Sequence, residues 1–135
     1  MNDDDDSMES IWYSTEGGRT VGQLGMESGL ILRDEELGDP LEPEDAEARI
    51  TLEQGRSSMA VEFFVTAQLY GGWLFLTVRR ETKPAAEAIY DTLRAELERL
   101  AVLMPYEGEG QRDVVIRAAA AAAEAAAVEA RYADH

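Results

Sequence analysis

Residues 61–80, VEFFVTAQLYGGWLFLTVRR, are the part of this sequence with the fewest ways to fold. Two runs rich in β-branched and aromatic residues flank Gly71-Gly72, and a two-residue turn of that kind closes an antiparallel hairpin. Strand periodicity then pairs Tyr70 with Trp73, Gln68 with Phe75 and Thr66 with Thr77, on one face with Phe64 and Glu62. The other face collects Val61, Phe63, Val65, Ala67, Leu69, Leu74, Leu76 and Val78, which is the composition of a core face. Rings interleaved with Gln, Thr and Arg suit either a second packed layer or a recognition surface.

Further strands and one amphipathic helix read from the same periodicities. Leu30–Arg33 is expected as a short strand, and Arg49–Glu53 as a half-buried strand with Ile50 and Leu52 facing inward. Gln54-Gly55-Arg56-Ser57 turns the chain into the hairpin, and short connections between successive strands favour a meander. Ile11–Ser14 reads as a short strand or a turn of helix, and Gly17, Gly18, Gly22 and Gly25 read as turns. Their spacing fits neither a dinucleotide fingerprint nor a P-loop. Thr82 and Pro84 open a helix whose apolar positions, Ala86, Ile89, Tyr90, Leu93, Leu97, Leu100 and Met104, form one stripe until Pro105 and Gly108 end it. From about Arg112 the chain is alanine-rich, with high helix propensity but little side-chain surface to bury. The expected fold is therefore α+β: an antiparallel meander of about four strands, covered by the 84–104 helix, with an Ala-rich C-terminal helix. Residues 1–10, opening on Asp3–Asp6, are expected to be a disordered acidic lead to a single domain spanning 11–135.

Charge narrows the partners. The 135 residues carry a formal net charge of -16, with 12 Lys and Arg against 28 Asp and Glu. Nucleic acid and anionic membranes both require clustered cations, and Arg79-Arg80 with Lys83 is the nearest approach to a cluster. A protein partner or self-association suits this surface better. Neither a signal peptide nor a membrane-spanning apolar run is evident, so a cytoplasmic protein is expected, and the preference for Arg and Ala over Lys matches a GC-rich coding sequence. The absence of cysteine removes disulfides, thiolate ligands and thiol nucleophiles together.

The residues that carry most enzyme chemistry are missing. The single histidine is His135, at the C-terminal end, and no Ser-x-x-Lys or Gly-x-Ser-x-Gly pattern occurs. The acidic run Asp34–Glu47 lacks the register of a calcium loop and reads as a solvated loop, so neither a metal nor any other cofactor is expected. The best site candidate is the aromatic-polar hairpin face, Phe64, Gln68, Tyr70, Trp73, Phe75 and Arg79, because Trp, Tyr and Arg dominate binding hot spots. The expected function is a non-catalytic interaction module, either a homodimer or an inhibitor or immunity-type binder. The alternative is a small-molecule-binding or carboxylate-dependent catalytic domain with the aromatic face as a pocket wall.

Overall fold

The computed structural model describes residues 11–55, 62–103 and 111–132. The acidic lead, the turn at Arg56 and Ser57, Val61, Met104, the helix-ending Pro105 and Gly108, and His135 lie outside the described residues. The sheet has five antiparallel strands in sequence order, β1 (Ile11–Ser14), β2 (Leu30–Gly38), β3 (Ala48–Gln54), β4 (Phe63–Leu69) and β5 (Leu74–Arg80). Helices α1 (Lys83–Leu103) and α2 (Gln111–Tyr132) follow. The α+β meander is as expected, with five strands instead of about four.

At Ile11–Ser14 the strand alternative holds, which raises the count to five, and the greater length of β2 corrects the reading of the acidic run. Ile11–Ser14 pairs with Glu35–Gly38 as an edge strand. Asp34, Glu35 and Glu36 belong to β2 and not to a solvated loop; all three pair with β3, opposite Thr51, Ile50 and Arg49, and Glu35 and Glu36 pair also with Ser14 and Tyr13 of β1. A bulge between Ile31 and Arg33 adds one residue opposite β3 and resets the alternation. Beyond Gly38 the acidic run leaves the sheet, and Pro43–Asp45 forms a single 3-10 turn.

The hairpin has the register its sequence implies. Gln68 lies opposite Phe75 and Thr66 opposite Thr77, and the two threonine hydroxyls are 3.2 Å apart. Gly71 and Gly72 both adopt positive φ, +94° and +82°, which side chains with a Cβ resist. Glu62 falls just before β4, which begins at Phe63.

One side of this sheet holds the core. Ile50, Leu52, Val65, Ala67, Leu69, Leu74 and Val78 are buried against the α1 stripe of Ala86, Tyr90, Leu93, Leu97 and Leu100. Thr82 caps α1, its Oγ1 accepting the Ala85 N–H at 3.2 Å. Polar contacts then anchor α1 over β1 and β2. The Tyr90 hydroxyl donates to Glu35 at 2.7 Å, Arg33 lies 4.0 Å from the centre of the Tyr90 ring, and the Trp12 indole donates to Glu98. Buried beside Glu35, the Tyr90 hydroxyl is pushed far above its ordinary pKa.

Helix α2 completes this layer with small residues. Ala121, Ala125 and Val128 are its buried positions, and Arg99–Glu124 at 2.8 Å and Arg131–Glu96 at 2.7 Å tie it to α1. Because Leu76 is buried between sheet and helices, Leu76→Ala is expected to cost about 2–5 kcal/mol through lost transfer energy and the cavity left behind. Urea melts check this, and a loss below about 1 kcal/mol would contradict the assignment of faces.

Candidate functional site

The opposite side of the sheet is built in rows, because antiparallel register sets same-face residues side by side. One row runs Tyr13, Glu36, Arg49, Gln68, Phe75; the next runs Asp34, Thr51, Thr66, Thr77; a third runs Ile31, Glu53, Phe64, Arg79. Hydrophobic burial is weak here, so polar pairing has to organise the surface. Asp34 does so. Its side chain is wholly buried and receives Arg49 through two bonds, Nε to Oδ1 at 2.9 Å and an Nη to Oδ2 at 2.6 Å. The hydroxyls of Thr15 and Thr51 donate to the same carboxylate at 3.0 and 3.1 Å. Bonding to Asp34 in turn pushes the Arg49 guanidinium upward in pKa.

The connection between β1 and β2 folds back across these rows. It opens with a tight turn in which Glu16 and Gly17 have positive φ, +50° and +69°. Gly22 N–H donates to the Ile31 carbonyl and Ile31 N–H to the Gln23 carbonyl, which extends β2 pairing into the loop. Glu53, fully buried, accepts the backbone N–H groups of Glu27 and Gly29 at 3.1 and 3.0 Å. Gly25 and Gly29 make that approach possible, since a Cβ at Gly25 would sit 2.3 Å from the Glu53 carboxyl carbon and one at Gly29 would sit 2.6 Å from the Gln54 carbonyl oxygen. Met26 reaches Gln68, with the sulfur 3.9 Å from the amide nitrogen. The buried polar residues of the described chain, Thr15, Thr20, Asp34, Thr51, Glu53 and Thr66, belong to this loop and to the rows facing it.

The six residues singled out from sequence are separated by this cover. Gln68 is half-buried beside Met26, and Phe64 is half-buried in the Glu53 row. Tyr70, at the edge of the turn, donates to Glu36 at 3.0 Å, and burial together with the Glu36 charge drives its hydroxyl pKa upward. Trp73 parts company with the others. It is half-buried against the hydrophobic cluster, because the glycine turn ends the alternation that would have kept it beside Phe75. Phe75 and Arg79 remain exposed on β5, with Arg79 between Glu62 at 3.6 Å and Glu81 at 4.0 Å. Arg79 also lines a cleft of about 400 Å³ with Arg80, Glu81, Thr82 and Ala85.

Sequence reasoning missed Asp34, Arg49 and Glu53, and also the exposed apolar side chains of the loop. Val21, Leu24 and Met26 are 52%, 57% and 55% exposed while the backbone beneath them bonds to the sheet. Phe75, across Gln68 from Met26, is 56% exposed. Among the described residues no group of three or more His, Cys, Asp or Glu side chains could hold a metal, and no helix is long and apolar enough to cross a membrane. The chain matches no protein-family model, no curated protein and no solved structure.

Two outcomes follow from the buried carboxylates. Asp34→Ala strands Arg49, Thr15 and Thr51 at once, and a loss of about 3–5 kcal/mol is expected in urea melts. Glu53 differs in having backbone donors but no cation. Burial raises its pKa above the ordinary 4.5, against the lowering effect of the Gly29 and Glu27 N–H groups. A carboxyl with a raised folded pKa favours folding most when both folded and unfolded forms are protonated, and that benefit is lost as pH rises through the folded pKa. Wild type should therefore lose stability relative to Glu53→Gln as pH rises from about 4 towards neutrality. Denaturant melts across that range measure it; a pH-independent difference between the two proteins would contradict it.

Proposed function

We propose that this protein is a non-catalytic interaction module whose binding surface is formed by the 21–30 loop together with β5. The observation carrying the proposal is the inverted packing of the loop. A loop laid on a sheet for stability alone gains most by turning its large apolar side chains inward, since each buried side chain of that size contributes roughly 1.5–3 kcal/mol. Here Val21, Leu24 and Met26 are turned outward, the polar backbone faces the sheet, and exposed Phe75 continues the patch on β5. Exposed apolar side chains gathered in this way mark contact surfaces. Tyr70 and Gln68 around them supply the hydrogen-bonding groups that accompany aromatic anchors at interfaces.

The proposal leaves two modes of action, self-association and capture of another protein in the manner of an inhibitor. In either, Phe75 and Met26 act as anchors, whereas Trp73 contributes to folding. A photo-crosslinking amino acid placed in the expressing cell at position 26 or 75 is expected to give adducts of discrete mass, while the same residue at Glu87 on α1 gives none. Sedimentation of Phe75→Ser then separates the modes, since a homodimer held by this surface should dissociate while the variant's thermal melt stays within about 1 kcal/mol of wild type. Absence of adducts at positions 26 and 75, or equal adducts at all three, would reject the proposal.

A further inference from the structure

Resting on that reading of the surface, we infer that its occupant is a cationic, amphipathic segment of a partner protein. The apolar centre, Met26 and Phe75, has carboxylates beside it. Glu27 follows Met26 and is exposed, and Glu129 of α2 accepts the Phe75 N–H at 3.4 Å. The cations of the same face are already engaged, Arg49 by Asp34 and Arg79 by Glu62 and Glu81. Neither Glu27 nor Glu129 forms a salt bridge among the described residues. Carboxylates without a cation on two flanks of an apolar centre are complementary to lysines or arginines flanking an apolar stripe. A second copy fits poorly, because the same carboxylates would meet across the contact in a chain of net charge -16.

A general attraction of cations to an acidic protein has to be separated from docking at this surface. The probe is a synthetic amphipathic peptide of about 14 residues with Leu on one helical face and Lys on the other, read by fluorescence anisotropy. Its controls are the same peptide with Glu for Lys, and oligolysine of equal length. Wild type is expected to bind the Leu/Lys peptide more tightly than either control, with affinity falling as salt rises. Glu27→Gln/Glu129→Gln should weaken binding about fivefold at low salt, since two ion pairs near the surface are removed. Phe75→Ser and Met26→Ser should each weaken it by a similar factor, and thermal melts confirm that all variants stay folded. Glu87→Gln/Asp91→Asn, on α1 across the sheet, should leave it within about twofold.

Equal weakening by the α1 variant, equal binding of oligolysine, or equal binding of the Glu peptide would each overturn the inference. So would a Leu/Lys affinity that Phe75→Ser and Met26→Ser leave unchanged. If the peptide fails while Phe75→Ser dissociates a dimer in sedimentation, the binding surface stands and its occupant is a second copy. If both fail, the surface reading fails as well.

Discussion

The structure depends on how the strands divide their side chains. β3, β4 and β5 place nearly all their aliphatic residues on the side that meets α1, and burying that side against the helix stripe supplies most of the hydrophobic driving force. The other side is left with threonines, carboxylates, amides, two phenylalanines and arginines. Such a surface gains little from ordinary packing. It therefore has to be completed by hydrogen bonds, which is what Asp34, Thr15, Thr51 and Glu53 provide beneath the β1–β2 connection.

That division explains the mixture of rigidity and exposure in the candidate site. Asp34 fixes Arg49 through a charge-assisted fork and fixes the start of the loop through Thr15. Glu53 fixes its far end through backbone donors. Between these two points the loop is held by its backbone, so its side chains are free to face outward without loosening the attachment. A surface displayed from a tied backbone loses little conformational freedom on binding, which favours affinity.

The parts of the fold that were legible in sequence are those governed by local pattern. The hairpin register followed from Gly71-Gly72 and the alternation around it, and α1 followed from its stripe and its Thr82 cap. The acidic residues of β2 were misread because a run of Asp34, Glu35 and Glu36 has no hydrophobic period; their strand character comes from pairing with β3, from β1 beside Glu35 and Glu36, and from Arg49 bonding Asp34. Of the site, Phe75 and Arg79 were named from the hairpin face, although the pattern left open whether that face is covered, and Trp73 was misplaced because alternation stops at the turn. The loop was illegible. Its glycines suggested turns, but that Gly25 and Gly29 let Glu53 approach is a contact between segments more than twenty residues apart, with no local signature.

Strand order follows chain order throughout, so every ladder in the sheet can form by zipping outward from a neighbouring turn. Closing the short turn between β4 and β5 costs little chain entropy, and contacts that are local in sequence favour early pairing. The loop over the polar rows is different: its anchoring carboxylates reside on β2 and β3, which must pair before Thr15, Glu27 and Gly29 have anything to bind. The aliphatic core is thus complete without the displayed surface, and a region attached through a few hydrogen bonds, with its apolar side chains outside, belongs to the low-stability end of the fold.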